Sequence, residues 1–260
     1  MRSILTGLIF VLLWGHPSAF GAEAQTLKYL VLADTVEPLM LASEDQPMRG
    51  GIVTDVLLAV FAQSGHTIDP LIVPWQRAAA EQKARDNWIM YGMRSACDPG
   101  EGCAVSTEPI VDFDHVIVSL ADVPLNVRAH HDLFGKRLIL VENFHYPGLD
   151  RFLMTPVDTA GDGSIVDIRA FSPEGALRML AHRRGEAFVD WDVRVLYNLE
   201  GAGLSRDEVH ISDASSLVPK QKIHFFYSDK LPHAVRDLID RKLSEMRANG
   251  DLQRIVAHYR

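Results

Sequence analysis

The stretch IVPWQRAAAEQKARDNWIMYGMRS, residues 72–95, decides the fold. Residues 67–73, which lead into it, are β-branched and apolar and read as a strand that Pro74 stops. Residues 76–85 are rich in Ala, Gln, Glu, Lys and Arg, which lose little on entering a helix. Trp88 to Gly92 is a second short apolar run. Strand, helix, strand is the unit of a parallel sheet, whose ligand crevice lies beyond the carboxyl ends of its strands. Trp75 and Arg77 follow the first strand, Arg94 and Ser95 follow the second, and with Tyr91 they are expected to form half of a ligand cleft.

Working outward, composition bounds the rest. Apolar residues make up 47% and charged residues 23% of the chain, an ordinary globular balance. The formal charge of -8 argues against nucleic acid and anionic membrane as partners. No low-complexity tract or fixed-period repeat is present, which excludes a solenoid.

Residues 1–24 read as a secretory signal peptide. Arg2 supplies the positive start, residues 4–14 form an apolar run too short to span a bilayer comfortably, and Ala19, Gly21, Ala22 and Ala24 offer small residues for cleavage. An uncleaved anchor is the competing reading, disfavoured because His16 and Pro17 interrupt the apolar run. With no Cys near the cleavage point, lipid attachment is not expected, and about 236 residues remain as an exported chain, enough for one large or two medium domains. The two cysteines agree with export: Cys97 and Cys103 bracket the turn-rich DPGEG and are expected to close a disulfide. A zinc site needs three or four ligands, so no metal is expected there.

In chain order, residues 27–33 read as the first strand, followed by the polar loop VEPLMLASEDQPMRGG. Asp55 reads as the cap of a helix with Val56, Leu57, Val60 and Phe61 on its apolar face. After the cysteine loop, residues 110–113 and 115–120 are extended. A second set follows: strands at 136–142, 165–170 and 187–191, a helical turn at 149–154, and a helix opened by Ser172 and Pro173 as cap and first residue. A strand at 222–227 and a long helix after Pro232 close the chain, with Val235, Leu238, Ile239, Leu243 and Met246 on one stripe. Two alternating sets imply two lobes.

The order of these elements resembles the extracellular solute-binding proteins of family 3, across essentially the whole mature chain. The resemblance is carried by GGIVTDVLLAVFAQSG at 50–65, VPWQRA at 73–78, YGMRS at 91–95, VDF at 111–113, LFGKRLILVE at 133–142, GEAFVDWD at 185–192 and MRANGDLQRIVAHY at 246–259. It implies an α/β fold, the two-lobe periplasmic binding protein type II clamp with two crossover strands as hinge. Lobe 1 would comprise 25–117 and 218–260 and lobe 2 residues 122–212, with hinge strands at 118–121 and 213–217. Such clamps close by hinge motion about a ligand.

The resemblance also implies site residues, with departures. Relatives that bind amino acids place an Arg about five residues before VDF, where it pairs with the ligand carboxylate; here that position is Thr107. Arg94 or Arg77 is the expected substitute, each with a surface ion pair as its alternative, and Trp75 is either a packing residue or a stacking platform. Relatives carry an aromatic after the proline of the first loop, where this chain has Leu39 and Met40. In the second lobe a Gly and Thr pair is replaced by ENFHYPG, so Phe144, His145 and Tyr146 are expected ligand contacts, and Asp190 or Asp192 matches the family's acidic contact to a ligand amine.

Other constellations fall short of a site. Residues 158–169, DTAGDGSIVDIR, have part of a calcium-loop pattern, but Ala160 and Arg169 stand where ligands are needed, so a turn is expected. His130 and His131 read as a surface pair. No phosphate loop, nucleophile elbow or HExxH motif occurs. The leading expectation is a non-catalytic, monomeric periplasmic receptor without cofactor, which captures a small polar, zwitterionic or amino-acid-like ligand and delivers it to an inner-membrane ABC permease or sensor. The alternatives are an accessory periplasmic protein using the clamp for protein contacts, and a dehydratase-like enzyme with His145, Asp190 or Asp192 as its acid or base.

Overall fold

A computed structural model describes residues 24–32, 36–142, 144–154 and 163–260. The predicted signal peptide, apart from Ala24, and the first part of the calcium-like segment lie outside the described residues.

The chain runs β1 (Thr26–Leu32), β2 (Leu41–Ser43), β3 (Gln46–Gly50), α1 (Ile52–Phe61), β4 (Thr67–Val73), α2 (Trp75–Lys83), β5 (Trp88–Met93), β6 (Cys103–Val105) and β7 (Val111–Phe113). It continues through β8 (His115–Leu120), β9 (Arg137–Val141), β10 (Leu153–Met154), β11 (Ile165–Ala170), α3 (Pro173–Ala181), β12 (Ala187–Trp191), α4 (Asp192–Asn198) and β13 (Val209–Asp213). It ends with β14 (Gln221–Ser228), α5 (His233–Ala248) and α6 (Asp251–Ala257).

Two six-stranded mixed sheets result, one per lobe. The first has the order β4-β1-β5-β14-β6, with β7 also on β14; the second is β10-β11-β9-β12-β8-β13. In the first, β4, β1 and β5 are parallel; in the second, β10, β11, β9 and β12 are. The carboxyl ends of both parallel sets therefore carry the loops that a ligand would meet.

Phe113 pairs with Gln221 in the first sheet and His115 with Trp191 in the second, so the chain changes sheets at Asp114. It returns between Asp213, paired with Val116, and Gln221. These two crossings connect the sheets. By sheet membership the first crossing precedes 118–121, because all of β8 lies in the second sheet.

Each lobe is held by its own core. In the first, α1 buries Ile52, Val53, Val56, Leu57, Val60 and Phe61, and α5 buries Val235, Ile239, Leu243 and Met246. One apolar stripe per helix, at helical spacing, is what places both on the sheet. Two clusters cover the faces of the second sheet. Trp191 and Val193 of the second lobe join the first lobe's cluster, and Phe144 packs against all three.

Several local expectations need correction. Asp55 is not a cap: Gly51 holds that position at φ 104°, where a Cβ would meet the Met40 Cα at 2.6 Å, and Asp55 sits in the first turn. There it accepts a 2.6 Å hydrogen bond from the Tyr259 hydroxyl. The loop after β1 contains the hairpin of β2 and β3, and residues 149–154 form a short 3-10 turn followed by β10. Ser172 and Pro173 do open α3, with Ser172 Oγ accepting from the Gly175 N–H.

Candidate functional site

The predicted site residues divide into a set at the seam between the lobes and a set on the surface. Asp190, the penultimate residue of β12, is fully buried, and its Oδ1 accepts the Trp191 N–H at 2.8 Å. The Arg194 guanidinium, one helical turn on in α4, lies 3.1 Å from the same oxygen. Arg194 is itself only 4% exposed. Its Cζ lies within cation–π range of two aromatic rings, 5.0 Å from the centre of Phe144 and 5.5 Å from that of Trp191. Arg194 is the central residue of the seam, and the sequence reading missed it. The only signal was its spacing, four residues after an acidic strand end.

Aromatic residues build the walls around this pair. Phe144 meets Tyr146 and Trp191 edge-on at 5.2 and 5.0 Å. Tyr146 is fully buried, its hydroxyl oxygen accepting the Val141 N–H at 2.9 Å. Trp191 reaches across to the other lobe, stacked on Phe113 at 4.7 Å and donating from Nε1 to Gln221 Oε1 at 3.0 Å. Tyr91 of β5 is buried as well, and the positive charge of Arg194 reaches its hydroxyl.

Polar atoms at this seam are buried without hydrogen-bond partners among the described residues. They include the Tyr91 hydroxyl, both ring nitrogens of His115, Asp190 Oδ2, Asp192 Oδ1, and Arg194 Nε and Nη1. Each such atom costs about 1–3 kcal/mol if left unpaired. The low polarity also acts on the charges. Burial lifts Asp190 to about 6, with Arg194 and the Trp191 N–H opposing it. His115 is driven down to about 4, first by burial and then by the charge of Arg194. Burial raises Tyr91 above the usual tyrosine range.

The remaining predicted residues lie outside this cluster. Trp75 is 57% exposed at the start of α2. The Arg77 side chain is 72% exposed and faces Glu81 at 3.7 Å. Arg94 and Ser95 are exposed in the short turn after β5, where Arg94 Nη2 donates to the Ser106 carbonyl at 3.1 Å. The His145 side chain is 88% exposed, 3.8 Å from Asp150. Asp192 is half-buried at the start of α4, with Oδ2 paired with Arg260 at 2.5 Å. Cys97 and Cys103 are bonded, with their Cα atoms 5.7 Å apart.

The departures from the family pattern have structural counterparts. Thr107 is bound through its N–H and hydroxyl to Asp240 of α5, at 2.7 and 2.9 Å, and Leu39 and Met40 are core residues. Two surface cavities, of about 530 and 640 Å³, lie elsewhere: one beside Asp55, Met246 and Arg254, the other beside Leu199, Leu204 and Arg206. Neither is lined by a predicted site residue.

With this geometry in place, comparison with known proteins identifies the fold. No protein-family model and no curated protein matches the chain. Solved structures do. The VFT2 domain of BvgS from Bordetella pertussis, as a double mutant, is 21% identical with a TM-score of 0.66, covering 90% of this chain and 93% of that one. An ancestral cationic amino acid solute binding protein is 12% identical with a TM-score of 0.69, covering 90% and 95%. The L-cystine solute receptor of Neisseria gonorrhoeae, in its unliganded open conformation, is 16% identical with a TM-score of 0.64, covering 91% and 93%. The chain therefore has the two-lobe clamp fold of the type II periplasmic binding proteins. The resemblance read from the sequence is, at these identities, a resemblance of fold.

Proposed function

We propose that this protein is a non-catalytic solute receptor of the periplasm, which captures a small polar molecule between its lobes and hands it to a membrane importer or sensor. One observation carries this reading: buried, unpartnered polar atoms from both lobes, Tyr91 on one side and Asp190 and Arg194 on the other, lie around the seam. A ligand supplying the missing partners removes their cost, which is how a clamp links binding to closure. The neighbours named for cationic amino acids and L-cystine support small-molecule capture by this fold. Export follows from the signal peptide read at 1–24, and the oxidised Cys97–Cys103 pair agrees with it.

Thermal unfolding of the oxidised chain against amino acids, small carboxylates, polyamines and sugars tests this. A ligand at about a hundred times its dissociation constant adds roughly 2.7 kcal/mol, or on the order of 5–10 °C for a protein of this size. A flat panel on folded protein refutes the receptor.

A second reading, the clamp kept for protein contacts, is favoured by a different observation. Phe171 is 93% exposed just after β11, and Trp75 stands exposed just after β4, both at carboxyl ends of parallel strands. A flat ligand panel together with a specific protein retained on the immobilised chain, and released by Phe171→Ser with Trp75→Ser, selects that reading. Turnover of a candidate substrate selects the dehydratase-like enzyme instead.

A further inference from the structure

Asp190, matched from sequence to the acidic contact for a ligand amine, already has a cation. Arg194 is tethered 3.1 Å away on the same chain segment, and both side chains are buried. A ligand ammonium would have to displace it, or sit beside an unscreened like charge where water is scarce. The site is not built for an amine.

Arg194 is under-used as a donor. The contact with Asp190 is an ion pair at 3.1 Å, yet it is not aligned as a hydrogen bond, and neither Nε nor Nη1 has a hydrogen-bond partner among the described residues. A guanidinium has five N–H groups, arranged to bind planar oxyanions. Phe144 and Trp191, edge to face with one another, both flank the same side of the guanidinium, so they do not occupy its unpartnered N–H groups. Tyr91 adds a buried hydroxyl without a partner from the other lobe, within reach of the Arg194 charge. Asp192 is paired through Oδ2 with Arg260 at 2.5 Å, which offsets its charge, while its Oδ1 is buried without a hydrogen-bond partner among the described residues.

Resting on the receptor reading above, we infer that the ligand carries a carboxylate, that Arg194 of the second lobe receives it with the Tyr91 hydroxyl closing from the first, and that no amine is required. The flanking rings then pack against an apolar remainder. The ligand class is a small organic acid.

The test is calorimetric titration of the oxidised chain with acetate, succinate, benzoate and phenylacetate, beside benzylamine, putrescine, glucose and inorganic phosphate. At least one carboxylate binds and the amines do not. Arg194→Gln weakens that carboxylate at least tenfold, and Asp190→Asn tightens it several-fold by removing a competing negative charge. Because Arg194→Gln strands Asp190, the double variant Asp190→Asn/Arg194→Gln, with its fold checked by circular dichroism, supplies a neutral pair of similar shape. It also loses the carboxylate. Binding of an amine, sugar or phosphate with no carboxylate overturns the inference and leaves the receptor standing, as does carboxylate binding that the double variant retains. Binding of nothing in an extended panel overturns the receptor, and this inference falls with it.

Discussion

Trp191 belongs to the last parallel strand of the second lobe, but its ring is stacked on Phe113 of the first, 4.7 Å away and tilted by 19°. The contact sits beside the crossing at Asp114, where a small rotation between lobes moves side chains least. Trp191 therefore joins two cores into one packed unit.

Truncating it tests that role. Trp191→Ala should cost about 3–5 kcal/mol in urea unfolding, the usual price of deleting a buried aromatic. Trp191→Phe keeps the stack but strands Gln221 Oε1, and should cost roughly 1–2 kcal/mol. If the ring bridges the lobes, the Ala variant also gains amide exchange along β7 and β14, not only around β12. Exchange confined to the second lobe would contradict the bridge.

Tyr259 fixes the start of α1 from the far end of the chain. Its hydroxyl donates to Asp55 at 2.6 Å and accepts the Gly51 N–H at 2.8 Å. Tyr259→Phe preserves the packing and removes both bonds, so it should lower stability by about 1–3 kcal/mol. Asp55→Asn keeps a neutral acceptor and should cost less. Equal losses in the two variants would show that the charge, and not the pair of bonds, holds the corner.

The Cys97–Cys103 bond closes a very short ring at the start of β6. Loop-closure entropy for such a ring amounts to about 2 kcal/mol. Cys97→Ala/Cys103→Ala should therefore lower stability by that amount while leaving the seam around Arg194, in the other lobe, intact. Equilibrium unfolding and ligand titration of the variant, compared with the oxidised protein, check both statements.

Much of this architecture could be read before any coordinates. Pro74, Ser172, Pro173 and the stripe from Val235 to Met246 are local signals whose physics acts within a turn or two, and each sits where it was expected. The short strands were harder. Cys103–Val105 has three residues, too few for a period-two pattern, and exists because it pairs with Phe226–Ser228 of β14. The site was half legible. A strand end marks Asp190 and ENFHYPG marks Phe144 and Tyr146, because parallel strands deliver their carboxyl ends to the crevice. Arg194 was not legible: an arginine in a helix reads as solvated until its neighbours are known. The converse holds for Arg94, whose place after β5 was right but whose partner, the Ser106 carbonyl, lies twelve residues away.

The last prediction concerns two buried groups that titrate against each other. His115 has its folded value lowered to about 4, so in acid the unfolded chain takes up a proton that the native protein refuses. Its contribution is lost as pH falls from about 6.5 to 4, by up to roughly 3 kcal/mol. Asp190 is the reverse case. Its folded value is raised to about 6, above the ordinary carboxylate range, so the native protein holds a proton that the unfolded chain has released. Its contribution is present below about 4 and lost as pH rises through 6, by a similar amount. In the wild type the two slopes oppose one another across the same window. Asp190→Asn should unmask His115, giving a protein that loses stability relative to wild type between pH 6.5 and 4. His115→Phe, which keeps a ring against Tyr146 and Trp191 and carries no unpaired nitrogen, should unmask Asp190 and gain stability over the same range. Urea midpoints at half-unit pH steps would decide it: difference curves of the same sign for both variants would mean that the two groups do not carry these protons.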